Sequence, residues 1–413
     1  MEEAAQAPRA MSRREWTIVI LLVVSVIINY VDRGNLSIAA TVIQRQIAMS
    51  PAQVGKLLSA FFWSYALLQI SGVPGWLCDR LPVGWVMVWG YVVWSGATLA
   101  TGLTESYTTL FVARLALGAG ESVAYPCYSR VFAALPQEHR GRANSLIDVG
   151  TKLGPALGAF VGGLLLVHLG WRMMFLVLGA GGLVWLMPWI RVMPGSRAVV
   201  ADVAPAASIA QLLRVRAAWG ATLGHFCGNY FFYFILAWLP VYLVREEGLS
   251  IGSMSRLTSA VFLWIGTATV VAGWISDRLI ARGSSATRVR LTVVVGGLIG
   301  ASSLLALAFI HGRPAASIAV VAVAVTCYGA FASNHWAISQ TLSGPVMAGR
   351  WASLQNGFAN LSGIAAPWAS GLIVERNGNS RMAFVMAGAV ALVGACCWGL
   401  LVRRVEPVRW DEV

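Results

Sequence analysis

Four of the charged side chains that stand in apolar stretches, where charge is expensive, have types and spacings that could do chemistry. The apolar run 16–40 reads WTIVILLVVSVIINYVDRGNLSIAA and carries Asp32 and Arg33 side by side, with Asn29 and Asn35 as its other strongly polar members. A charge at mid-bilayer depth costs at least ~2.5 kcal/mol, so it faces a bundle interior or a wet cavity instead of lipid. Arginine offers a carboxylate two parallel N–H donors, which lysine does not reproduce. Neighbours on a helix point about 100° apart, so Asp32 and Arg33 cannot serve one direction. Arg33 is therefore assigned to a bound anion and Asp32 to proton or helix-switching work, with mutual charge balance as the alternative.

A third charge, Glu121, sits in Arg114-Leu-Ala-Leu-Gly-Ala-Gly120-Glu121-Ser-Val-Ala-Tyr125-Pro126, where Gly120 and Pro126 loosen the helix. Desolvation lets such a carboxylate exchange a proton near neutral pH. The fourth is Lys152, on a segment where Gly150, Gly154, Gly158 and Gly162 make a face for close helix contact. Lys152 lies about 200° round from Gly150, and is either an anion ligand or an i,i+4 partner of Asp148. Tyr65 and Gln69, one turn apart, can form a polar edge; Phe61 and Trp63 read as core or lipid-facing rings. Elsewhere the polar residues are neutral: His225, Asn229 and Tyr233 at four-residue spacing, Asn334 with His335, and Asn356 with Asn360. Asn360 is singled out because Gly357 and Gly363 flank it.

These residues need a membrane bundle to hold them. The 413 residues are 58 % hydrophobic and 11 % charged, with a mean hydropathy of +0.70, far from the roughly 25 % charged residues of soluble domains. Spans of about 20 apolar residues fall at roughly 17–40, 50–73, 83–103, 107–132, 143–168, 173–193, 218–243, 252–276, 288–310, 315–341, 349–373 and 381–402. The first run is too long for a cleaved leader and lacks a small-residue cleavage pattern. Six cysteines without a CxxC suggest neither a metal site nor a disulfide framework.

The formal charge of +13 is placed for topology, not for nucleic acid. Of 30 Lys/Arg, nineteen fall on the side that both termini share, eight on the other and three inside spans. Both termini are thus expected in the cytoplasm. The domains expected are a tail at 1–16, a six-helix bundle at 17–193, a linker at 194–217, a second six-helix bundle at 218–402 and a tail at 403–413. Gly75-Trp-Leu-Cys-Asp79-Arg80 in the first bundle recurs as Gly273-Trp-Ile-Ser-Asp277-Arg278 in the second, an internal repeat of like topology. Asp79, Arg80, Asp277 and Arg278 are expected to gate, the acids capping neighbouring helices and the arginines pairing across the surface, unless these loops are only tight turns. The basic turn from Pro136 to Ala143 either latches the halves or fixes topology.

At these strings the chain resembles the major facilitator superfamily, and within it the anion:cation symporter branch of sugar-acid and organic-anion transporters. The resemblance runs from about Trp16 to Arg404, through Ile28-Asn-Tyr-Val-Asp32-Arg33-Gly-Asn-Leu-Ser, Gly75 to Arg80, Arg114 through Gly120-Glu121 to Tyr125-Pro126, Arg140-Gly-Arg142-Ala, Gly170-Trp171-Arg172 and Asn360. It implies twelve transmembrane helices in two pseudo-symmetric bundles, a substrate arginine at Arg33, an aromatic partner at Tyr65, a membrane acid at Asp32 and a proton-carrying glutamate at Glu121. The resemblance implies a glutamine near the position that Thr151 or Lys152 takes here; with Lys152 as the counterpart, a second cation faces the site and the expectation tilts toward a diacid or an aromatic acid. The expected protein is a proton-coupled importer of an organic carboxylate in the bacterial inner membrane, working as a monomer, with protons as coupling ion and no other cofactor. Facilitated or sodium-coupled anion movement is the alternative. No catalytic constellation, ATP-binding glycine loop or nucleic-acid partner is expected.

Overall fold

The computed structural model describes residues 11–133, 135, 137–194, 209–310, 314–410 and 412. Most of the linker (195–208), residues 1–10 of the first tail, positions 411 and 413, and Pro136 with the Glu138, Arg140 and Arg142 side chains of the basic turn lie outside that description.

Helix starts follow capping chemistry. Ser12 accepts from the Glu15 amide while the Glu15 carboxylate accepts from the Ser12 amide, and Ser50 with Gln53 repeats the device ahead of Pro51. Among the described residues, nine helices are individually long and apolar enough to cross a bilayer, ten when Pro51–Ser71 and the bent Val73–Arg80 count as one. The Ala143–Val192 stretch holds two helices meeting at Gly170, where φ is 76° and glycine carries no Cβ penalty. The run 107–133 is one crossing broken after Glu121. Counted so, the twelve expected crossings are present. They are numbered first to twelfth below.

The two Asp-Arg strings are helical, contrary to the loops expected. Gly75 to Arg80 lies in Val73–Arg80, started by Pro74 after a 60° bend at Gly72, and Gly273 to Arg278 ends the eighth crossing, Ile251–Ala281. Their partners stay at home. Asp79 is 3.4 Å from Arg130 of the fourth crossing, and Arg278 lies over its own Trp274 ring at 5.1 Å.

The glycine face of the fifth crossing packs on the first crossing as its spacing requires. Cβ atoms built on Gly150, Gly154 and Gly158 would strike Val26, Tyr30 and Val31. A second close approach joins the halves at the end remote from the chain termini. A Cβ on Gly55 of the second crossing would lie 2.5 Å from the Pro367 carbonyl oxygen, and one on Gly371 of the eleventh would lie 2.9 Å from the Gly55 Cα. There Glu375 accepts hydrogen bonds from the Ser50 hydroxyl (2.7 Å) and the Ala52 amide (2.8 Å), so an acid of one half caps a helix of the other. A cap between the halves is thus made at the end opposite the Asp-Arg strings.

Gly371→Val therefore overfills this seam at a cost of about 1–3 kcal/mol. The distance between spin labels on Lys56 and Arg376 should lengthen, with a smaller change in the same direction for Glu375→Ala; an unchanged distance in Gly371→Val would show that the seam does not depend on this contact.

Candidate functional site

Glu121 reaches the interior because its helix is thin. A Cβ on Gly118 would strike the Phe61 carbonyl, one on Gly120 would lie 2.7 Å from the Trp94 amide, and the Ser64 hydroxyl donates to the Leu115 carbonyl at 2.7 Å. Squeezed between the second and third crossings, the fourth breaks after Glu121. Gln69 Nε2 donates to the Ser122 carbonyl at 2.7 Å, satisfying an acceptor at the break. Gln69 is thus engaged in holding Glu121 in position.

The central contact is an ion pair between the first and fourth crossings: Arg33 Nε lies 3.0 Å from Glu121 Oε2, with both side chains out of reach of solvent. The sequence offers Arg33 to a bound anion, with balance against Asp32 as the alternative; the structure couples Arg33 to Glu121 directly. Three rings enclose the guanidinium, with centroids 4.7 Å away for Tyr30, 4.8 Å for Phe61 and 4.7 Å for Tyr65. Tyr65 is stacked on Phe61 at 5.2 Å. Phe61, read from sequence as core, and Tyr30, given no role, belong to the site. The Tyr30 to Arg33 spacing of one helical turn was the available signal.

The pair's hydrogen-bonding capacity is only partly used: among the described residues, Arg33 Nη2, Glu121 Oε1 and Asp32 Oδ1 are buried without a hydrogen-bond partner. Asp32 is buried too, its backbone carbonyl accepting from Arg114 Nη1 at 3.3 Å, and the charges of Arg114 and Glu121 both act on it.

From the second half, the Tyr233 hydroxyl donates to Asn360 Oδ1 at 2.8 Å, and the Tyr233 ring lies 4.4 Å from that of Phe62. Phe62 in turn occupies the space a side chain at Gly363 would need, so this glycine admits the ring. Asn360 thereby faces the Arg33 cage across one aromatic layer. Lys152 points away from the glycine face, as its angle required, and its stem lies against Gly266 of the eighth crossing. Its ammonium is 3.6 Å from Asp148 and donates to the Thr151 hydroxyl at 3.2 Å. This is the i,i+4 pairing, and no bond joins Lys152 to Arg33. Asn334 donates to Ser276 at 2.9 Å, a helix-packing bond. A cavity of about 250 Å³ lined by Thr41, Gln44, Arg45 and Arg245 opens at the remote end, away from the Arg33 cage.

A helical membrane bundle with a buried ion pair and polar contacts across the seam of two halves is the architecture of a transporter. The family comparison places it further: residues 22–356 match the model of the Major Facilitator Superfamily, and the chain belongs to that family of transporters, not to the enzymes. It is 28% identical to a probable galactarate/D-glucarate transporter of Escherichia coli (strain K12), covering 100% of this chain and 98% of the relative. It is 30% identical to a probable chloroplastic anion transporter of Oryza sativa subsp. japonica over 94% of this chain and 68% of that one. A D-galactonate transporter of Escherichia coli O6:H1 is 28% identical over 96% of this chain and 97% of its own length. Among solved structures, a bacterial homologue of the human lysosomal transporter Spinster, described as inward-facing and occupied, superposes with a TM-score of 0.80 at 18% identity, covering 96% of this chain and 98% of that chain.

Removing one partner of a buried ion pair strands the other charge at a cost of about 3–5 kcal/mol. Arg33→Leu should therefore lower the melting temperature of the detergent-purified protein, and Arg33→Leu combined with Glu121→Leu should recover most of the loss. A double variant no more stable than the single one would deny the pair its coupling.

Proposed function

We propose that this protein is a proton-coupled symporter that imports an organic carboxylate, of the sugar-acid or aldarate class, by alternating access. The observation that carries the reading is the half-satisfied Arg33–Glu121 pair inside its aromatic cage. A proton on Glu121 neutralises the carboxylate and leaves Arg33 as an unbalanced buried cation. That state is costly unless another carboxylate arrives, and Arg33 Nη2 is already free to donate to it. Proton and substrate anion thus enter together and leave together, and the charge of the site stays balanced. Each proton also offsets the membrane potential opposing one negative charge, about 2.3 kcal/mol per 100 mV.

In this reading Asp32 assists proton movement, Tyr65 and Asn360 contact the substrate, and Gln69 holds the helix break beneath them. The bundles at 17–193 and 218–402 rock about the seam, joined by the linker at 194–217, and the protein acts as a monomer. Lysine and arginine placement supports both termini in the cytoplasm of a cell whose inner membrane it spans. The remote end, closed by Gly55, Gly371 and Glu375, then faces outward. Asp79, Arg80, Asp277 and Arg278 line up for cross-half contacts when the inner side closes. The substrate class is supported by the names of the relatives together with the arginine site.

The test is uptake of galactarate, glucarate and galactonate by proteoliposomes. An inward proton gradient should drive accumulation, and Glu121→Gln should abolish it while leaving substrate counterflow, which needs no net proton release. Accumulation that depends strictly on sodium would overturn proton coupling; loss of counterflow in folded Glu121→Gln would reassign Glu121 to binding. Arg33→Lys should weaken binding about 100-fold, since it forfeits the paired donors. If Lys152 meets a second carboxylate, Lys152→Gln should weaken aldarate binding selectively over aldonate, and equal losses for both would return Lys152 to its Asp148 pair.

A further inference from the structure

Below the Arg33 cage, on the side nearer the termini, the second half buries two histidines that the transport reading leaves unused. His225 of the seventh crossing and His335 of the tenth have ring centroids 4.6 Å apart, and the Trp336 ring lies 5.0 Å from His225 and 5.4 Å from His335. Both histidines are buried. Lys152, from the first half, is a charge that acts on both rings, so the pair fronts the seam between the halves.

Hydrogen bonds fix how each neutral ring carries its proton. Trp351 donates its indole N–H to Gln355 Oε1 at 2.9 Å, which turns the Gln355 amide nitrogen toward His225 Nδ1, 3.3 Å away. An amide nitrogen only donates, so His225 Nδ1 accepts and Nε2 bears the hydrogen. His335 Nδ1 lies 3.1 Å from the Ala332 carbonyl oxygen, which only accepts; that nitrogen bears the hydrogen and Nε2 is left as an acceptor. Asn229, one turn beyond His225, is hydrogen-bonded to the first ring. The pair therefore presents the His335 lone-pair acceptor beside a polar Asn229–His225 couple. A hydroxyl group matches that acceptor, since it can donate to it while accepting from a neighbouring donor. A carboxylate does not, because it would face the His335 lone pair.

We infer that His225 and His335, held by Gln355, form a hydroxyl-recognition subsite that makes the transporter prefer polyhydroxy acids over deoxy acids of the same length. The inference rests on the organic-acid reading above and deepens it: Arg33 takes the carboxylate, and the histidine pair reads the hydroxylated chain. A site built to hydrogen-bond a hydroxyl discriminates strongly against an analogue without it, because its own buried groups are then left unpaired.

Equilibrium binding of D-galactarate and of adipate, its deoxy counterpart, to purified protein tests this, with D-galactonate and hexanoate as the monoacid pair. The wild type should favour the hydroxylated member of a pair. His335→Phe, which keeps the ring and deletes the acceptor, should weaken the hydroxylated acid at least tenfold and leave the deoxy acid within twofold; His335→Gln, which restores an acceptor, should recover part of the loss. Parallel losses for both acids, or no change in either variant, would overturn the subsite while leaving organic-acid transport standing. A wild type that binds neither member of either pair removes the organic-acid reading and the subsite with it.

Discussion

A buried arginine next to a buried glutamate constrains everything around it. Two ions withdrawn from water are tolerable only when their geometry is good and their remaining hydrogen-bonding atoms find partners. Here the geometry is good, at 3.0 Å, but Arg33 Nη2 and Glu121 Oε1 find none. The surrounding packing is what holds the pair in that state. Glycines 118 and 120 bring the fourth crossing against its neighbours, Gln69 caps its break, and three rings close on the guanidinium. An ion pair left half satisfied is poor material for stability and good material for a switch, because a small ligand can compete for the free half.

The two halves contribute unlike chemistry. Among the described residues the deeply buried charge, Asp32, Arg33, Arg114 and Glu121, belongs to the first half, while the second offers Tyr233, Asn360 and the histidine pair. A neutral wall suits the moving partner of a charged site: when the halves rock, hydrogen bonds to hydroxyls and rings are exchanged with water at modest cost, whereas a second set of ions would have to be desolvated in each cycle.

Much of this was legible in the sequence, and what was not has a common cause. Span number, the glycine face and the direction of Lys152 follow from periodicity within one helix, which the chain writes out locally. The identity of Arg33's partner does not, since Glu121 is 88 residues away on another crossing and only packing decides whether Glu121, Asp32 or neither is in reach. The partner of Gln69 is hidden for the same reason: it is a backbone carbonyl freed by a helix break, and carbonyls carry no residue-type signal. Phe61 reads as core in any apolar helix, and its service to Arg33 shows only when the neighbouring helix is in place.

The Asp-Arg strings show how a duplicated motif can be recognised from sequence without its contacts being legible there. Their repetition marks equivalent positions in the two halves, but the bonds they make here are internal to each half. The bond between halves is made by Glu375, which no repeat announces, at the end of the helix whose glycine meets Gly55. One seam is thus held at backbone distance at one end, while charged helix ends are occupied with their own neighbours at the other. The close approach of the two halves in this state rests on glycine packing and the Glu375 cap, which neither half's repeat encodes.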